Sequence, residues 1–162
     1  MATVCLTFDV DAEAGLGAAL ETSRDRLGTL TEHEFSVRRG LPRIVELLGE
    51  HGMRGTFYVP GATAQRHPEA IGALVQDGHE VAHHGHHHLA SHELDPGAQE
   101  AEIDEGLAAL RPFLGEAFGY RSPAWELTPE TADLLVARGF IAILSLIGAN
   151  GRSKRGAPAG VG

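Results

Sequence analysis

Seven of the ten histidines in this chain fall between positions 79 and 92, in the run GHEVAHHGHHHLASH. Upstream, the segment LTFDVDAE delivers Asp9 and Asp11 at the end of an apolar stretch. Imidazole nitrogens together with a carboxylate suit zinc or a similar borderline divalent metal. Two His and one Asp leave a coordination position for water, which is the composition of a catalytic rather than a structural centre. The chemistry that such a set supports is metal-assisted hydrolysis.

Spacing narrows the choice of ligands. Asp9 and Asp11 lie two apart, so a regular strand would point both to one side. Adjacent carboxylates repel unless a cation lies between them or one is protonated. The pair makes sense if one binds metal and the other works as a base; two solvated loop acids are the plain alternative. His84 and His88 lie four apart, and on a helical turn both rings would share one face and one ion. His83 and His87 form a competing pair one residue out of register, while His86 is expected to face elsewhere. A solvated, low-complexity histidine tract is the plain alternative for the whole run. Arg121-Ser122-Pro123-Ala124-Trp125 is the third element: Arg121 can grip a carboxylate in its fork, Pro123 stiffens the turn and Trp125 offers an apolar wall.

These residues need a scaffold, and the chain supplies one by alternating short apolar runs with amphipathic segments. Residues 3–8 read as a buried strand, with Cys5 as a small buried hydrophobe in it. Residues 41–51 (LPRIVELLGEH) read as a helix with Pro42 in its first turn, and Gly52 closes it. Residues 54–59 are a second strand rich in β-formers. Residues 68–76 form a helix, 79–82 a short third strand, 96–114 a longer helix and 118–120 a fourth strand. Thr128-Pro129-Glu130 starts a last helix with a hydroxyl cap, and its face is Ala132, Leu135 and Val136. Such a βα repeat predicts parallel strands covered by helices. Asp9 and Asp11, His84 and His88, and Arg121 all follow strands, where α/β folds place active sites. Residues 12–40 are too long for an ordinary βα connection, and we expect this insertion to cover the site and contact substrate.

Composition excludes some functions. The 162 residues, 43% of them hydrophobic, suffice for one domain with a core. With 13 basic against 22 acidic residues the net charge is −9, so nucleic acid is not an expected partner. Neither a signal peptide nor a membrane span is expected, which predicts a cytoplasmic protein.

The motifs together resemble the polysaccharide deacetylase family. TFDVDAE is similar to its first motif, His84 with His88 to its metal-binding HxxxH, and RSPAW to its third. The stretches SVRRGLPRIVELLGEHGMRGTFYVPG, RHPEAIGALVQDGHEVAHHGH and FGYRSPAWELTPETADLLVARGF extend the likeness over about residues 3–140. DVDAE and the long segment after it are similar to the branch without secretion signals, which includes a peptidoglycan deacetylase and allantoinase- and cyclic-imidase-like amidohydrolases. The resemblance implies a distorted (β/α) TIM-like barrel. It implies that Asp11, His84 and His88 hold a divalent metal, usually Zn, and that Asp9 is the general base. Arg121 would pair with Asp9, and Trp125 and Pro123 would shape the substrate pocket. The implied substrate is an N-acetylated glycan, or alternatively a small cyclic amide.

The likeness fades towards the C-terminus. The family continues with a further strand and a distant Leu-x-x-His whose histidine is the general acid, whereas here no histidine follows His92. An α/β barrel also needs roughly 250 residues, and this chain offers four or five strands. The expectation is therefore an α/β, incomplete barrel: residues 1–140 as part of a deacetylase domain, and 141–162 as an atypical, partly disordered tail from a truncated or frameshifted gene. Such a chain would bind metal with little turnover, or be a catalytically silent metal-binding fragment. Its open sheet edge would invite a homo-oligomer.

Overall fold

A computed structural model of the chain describes residues 4–23 and 25–144. Five strands form one sheet: β1 (Thr7–Asp9), β2 (Thr56–Val59), β3 (Glu80–His83), β4 (Gly119–Tyr120) and β5 (Ala142–Ile143). They are hydrogen-bonded in sequence order and every neighbouring pair is parallel. That order is the one a (β/α) barrel uses, with each crossover bringing the next strand in beside the last.

The crossovers are helical: α1 (Leu27–Phe35) and α2 (Leu41–Glu50), then α3 (Gly61–Arg66) and α4 (Pro68–Gln76), then α5 (Pro96–Leu110) and α6 (Pro129–Ala137). Their starts follow from local chemistry. The Asp95 carboxylate accepts from Ala98 N–H at 2.8 Å to cap α5, and the Thr128 hydroxyl accepts from Thr131 N–H at 3.1 Å to cap α6. Pro68, Pro96 and Pro129 stand in first turns, where a missing N–H is harmless.

Two apolar clusters hold the layers together. Phe57, Val59 and Val81 of the central strands pack with Leu41, Leu48, Ile71 and Leu74 from the helices. Ile103, Tyr120, Leu135 and Phe140 join α5 and α6 to β4. α3 and α5 meet where glycines permit it. A Cβ on Gly61 would sit 2.9 Å from the Gly106 Cα, and one on Gly106 would sit 2.8 Å from the Gly85 carbonyl. Any larger residue there would push α5 off the end of β3.

Several expectations are corrected. The first strand is shorter than the apolar run that suggested it, because only Thr7–Asp9 pair with β2. Cys5 is exposed rather than buried and precedes the strand. Residues 12–40, too long for an ordinary connection, fold as short 3₁₀ turns (Ala12–Ala19, Glu21–Ser23) that lead into α1 and a π-helical turn, Ser36–Gly40, which runs on into α2. Val136 points to solvent, and Thr131 takes its expected place on the buried face of α6. β5 lies inside the stretch expected to be an atypical tail, and residues 145–162 lie outside the described residues. No helix among the described residues is long and apolar enough to cross a membrane.

Candidate metal centre

Three chain segments converge at the carboxyl end of the sheet. Asp9 is the last residue of β1, His84 the first after β3 and Arg121 the first after β4. Ladder hydrogen bonds run one residue beyond the strands and fix these exits: Val10 N–H to Tyr58 C=O at 2.9 Å, His84 N–H to Val59 C=O at 3.2 Å, and Arg121 N–H to His83 C=O at 3.0 Å. The Thr63 hydroxyl donates to the Asp11 carbonyl at 2.6 Å and anchors the acidic turn to α3.

Asp11, His84 and His88 come together. Nε2 of His84 is 3.5 Å from Asp11 Oδ1, and Nε2 of His88 is 3.6 Å from Asp11 Oδ2. A tetrahedral zinc with bonds of about 2.1 Å separates its ligand atoms by about 3.4 Å, so the spacing fits one such ion. Nδ1 of His84 lies 2.7 Å from the Arg121 carbonyl, to which it can only donate. Nε2 therefore carries the lone pair, and it faces Asp11. Burial pushes the His84 pKa down against the opposing pull of Asp11, which keeps the ring in the neutral form that a ligand needs. Asp11 Oδ1 is buried with no hydrogen-bond donor among the described residues, and a cation at this point would satisfy it.

The competing pair, His83 and His87, is engaged elsewhere. His83 is fully buried, with Nε2 donating to Ile103 C=O at 3.0 Å and Nδ1 accepting from Gly85 N–H at 3.0 Å. Its pKa is pushed down to about 3 by burial. The Nδ1 of His87 instead pairs with Glu102 at 3.1 Å. His84 and His88 do not owe their approach to a helical turn, since the segment between β3 and Ser91 contains no helix. Glu102 on α5 shapes that segment: its carboxylate accepts from His86 N–H at 2.8 Å and His87 N–H at 3.0 Å. The chain turns at Gly85 (φ 75°) and at His88 itself (φ 59°).

Arg121 occupies the other flank. Its guanidinium pairs with Asp9 Oδ1 through Nη1 and donates from Nη2 to the Thr7 hydroxyl at 2.7 Å. It is sandwiched between aromatic rings, 4.1 Å from the Tyr58 centroid and 4.5 Å from that of Trp125. The second Asp9 oxygen, Oδ2, is 4.0 Å from His84 Nε2, on the side of the Asp11–His84–His88 cluster. Trp125 is half exposed and presents its free surface beside the site. Pro123 is buried against Gly85, so it braces the histidine segment rather than forming an open wall.

The inserted segment also reaches the site. Buried Glu13 bonds to His67 at 2.9 Å and to Arg66 at 3.2 Å. Burial alone would raise its pKa, but hydrogen bonds from His67, a backbone N–H and Arg66, with the His67 charge, together outweigh burial and hold it below the usual carboxylate range. A cavity of about 350 Å³ lies between this segment and α3, lined by Glu13, Leu20, Thr63, Arg66 and His87. Four non-glycine residues adopt positive φ among the described residues: Ala12, His88, Ala124 and Trp125. All four sit on the segments that carry the site, and such strain survives where surrounding structure fixes it.

Sequence reasoning missed Thr7, Tyr58, Thr63 and Glu102. Each holds a site residue rather than doing chemistry, and nothing in its spacing marks it. Glu102 in particular reads as an ordinary acidic residue of an amphipathic helix.

A family model described as polysaccharide deacetylase matches residues 2–143. The chain is 28% identical over 148 residues to a peptidoglycan deacetylase-like protein of Gibberella zeae, covering 90% of this chain and 44% of that protein. It is 28% identical over 139 residues to a peptidoglycan deacetylase of Helicobacter pylori, covering 85% of this chain and 47% of that one. It thus spans about half the length of these curated relatives. The crystal structure of a Mycobacterium smegmatis protein assigned as a polysaccharide deacetylase superposes with a TM-score of 0.82 at 38% identity, over 88% of this chain and 50% of that one. An allantoinase structure, with a TM-score of 0.72 at 21% identity, shares the fold.

Proposed function

The chain belongs to the polysaccharide deacetylase family, and from that premise we propose that it takes part in metal-dependent hydrolysis of the acetamide C–N bond of an N-acetylated glycan. The observation that carries this reading is the convergence of Asp11, His84 and His88 beside the Asp9–Arg121 pair. The first three would hold the ion, with zinc the metal that two imidazoles and a carboxylate suit best. Bound there, such an ion supplies Lewis acidity to a carbonyl and makes a neighbouring water easier to deprotonate.

The protein's own groups do the rest. Arg121 occupies Asp9 Oδ1 and leaves Oδ2 facing the ligand cluster, where it can take a proton from the attacking water. The Arg121 carbonyl fixes the His84 tautomer, so one residue orients both the base and a ligand. The exposed surface of Trp125 offers a sugar ring an apolar platform. Names of relatives support the substrate class: peptidoglycan for the Helicobacter protein, and chitooligosaccharide for a Sinorhizobium fredii deacetylase that is 43% identical over 76 residues, 47% of this chain and 35% of that one.

Acetate release from a chitooligosaccharide by the purified zinc-loaded chain tests the proposal, with Asp9→Asn and a zinc-only blank as controls. We expect a slow but Asp9-dependent rate, about 10²–10⁴-fold below that of a site with a positioned acid. Release that Asp9→Asn leaves unchanged contradicts the proposal, and ring opening of a cyclic imide without acetate release shifts it to the cyclic-amide class.

A further inference from the structure

The geometry points to a second divalent transition-metal site on the same histidine segment, formed by His86, His87 and Glu105. One nitrogen of each imidazole and one Glu105 oxygen lie within 4.8 Å of one another, and none of the three belongs to the Asp11–His84–His88 set. His86 supplies the buried nitrogen ligand. Only 6% of it is exposed, and its Nε2 contacts no polar group but the Glu105 carboxylate among the described residues. Nδ1 is sealed without a partner, and Nε2 looks towards Glu105 Oε2 at 3.7 Å, beyond hydrogen-bond reach. The sealed Nδ1 lies against Gly61 and takes no part, whereas an ion between Nε2 and the carboxylate would use a lone pair from each.

The second ligand is oriented as ligands usually are. The Glu102 carboxylate lies 3.1 Å from His87 Nδ1, so the neutral ring donates there and keeps its lone pair on Nε2. Glu102 and Glu105 are three apart on α5 and share a face, so two negative charges stand ready for a dication. Glu105 is itself 58% exposed and His87 is 51% exposed, so both side chains are free to close from within 4.8 Å to the tighter spacing that tetrahedral geometry requires. His87 also lines the cavity of about 350 Å³, which gives an ion a route in. Zinc, or nickel and copper from the same nitrogen-preferring class, is the chemistry that this set would take.

Zinc titration of the full chain, read by calorimetry and by elemental analysis after gel filtration, tests the site. Wild type should bind two equivalents. Glu105→Gln combined with His87→Gln changes two exposed side chains, and should lose one equivalent while leaving the other constant within about threefold. Asp11→Asn combined with His88→Gln should lose the other equivalent only. Saturation of wild type at one equivalent, or two undiminished equivalents in the Glu105/His87 variant, overturns the proposal. The two readings fail separately: if Asp11→Asn/His88→Gln still binds two while the Glu105/His87 variant binds one, the second site stands and the catalytic one does not.

Discussion

Arg121 at the end of β4 and Asp9 at the end of β1 are 112 positions apart in sequence and share an ion pair across the carboxyl face of the sheet. Three strand spacings separate β1 from β4, about 14 Å in a flat sheet, which is farther than an arginine side chain reaches. The contact therefore requires the sheet to curl, and the guanidinium passes over Tyr58 of the intervening β2. Barrel curvature thus brings Asp9, the Asp11–His84–His88 cluster and Arg121 onto one small surface.

Arg121→Lys tests that bridge. Lysine keeps the charge but cannot hold Asp9 and Thr7 in a fork while stacked between two rings. Zinc affinity should stay within about threefold, whereas turnover should drop about tenfold or more. Parallel calorimetry and acetate assays would check this, and an unchanged rate would remove Arg121 from the machinery.

Glu102→Gln should loosen the segment that carries His84 and His88. The carboxylate accepts two backbone N–H groups, and an amide turns one of its acceptors into a donor facing them. We expect a loss of about 1–3 kcal/mol in stability and about a tenfold weakening of zinc binding at the Asp11 site. Thermal melts and zinc titration read the two effects, and Glu102→Asp should recover part of the second.

His83 makes stability depend on acid. Its folded pKa is pushed down to about 3 by burial, below the ordinary value of 6.5, so the unfolded chain binds the proton more readily. The stabilisation is intact above about pH 6.5 and is lost as pH falls towards 3, with a slope of up to about 1.4 kcal/mol per pH unit from this group. Protonation would also turn the Nδ1 that accepts from Gly85 N–H into a donor. Denaturant midpoints measured from pH 7 to 4 should decline, and less steeply in His83→Gln.

Ala124→Gly relieves one of the strained positions. Ala124 has φ of 56°, where a Cβ is unfavourable and glycine is not. A gain of about 0.5–1 kcal/mol is expected, with zinc affinity unchanged, because Ala124 touches neither ligand set. A loss of stability would show that the left-handed turn before Trp125 is not strained.

Much of this arrangement was legible in the sequence. α4 and the cap of α6 fall where Pro68, Thr128 and Pro129 announce them, and the site residues do follow strands. The apolar run at residues 4–6 predicts a longer buried strand, but Val4 and Cys5 have no sheet neighbour to cover them. Helical spacing predicts that His84 and His88 meet, but Gly85, His88 and Glu102 bring them together through a non-helical turn. Periodicity cannot see a carboxylate on α5 arriving from another part of the chain. The same limit hid His86, whose burial depends on Gly61 and Gly106 letting α3 and α5 close over it.

Zinc titration of wild type, Asp9→Asn and Asp11→Asn tests the central claim most directly. Asp11 is placed between His84 and His88, whereas Asp9 is held by Arg121 with its free oxygen 4.0 Å from His84. Asp11→Asn should abolish the equivalent bound at this centre or weaken it by at least about 100-fold. Asp9→Asn should leave that equivalent within about threefold of wild type while removing Asp9-dependent acetate release. Equal loss of zinc in both variants would make both acids ligands and contradict the assignment of Asp9 as the base.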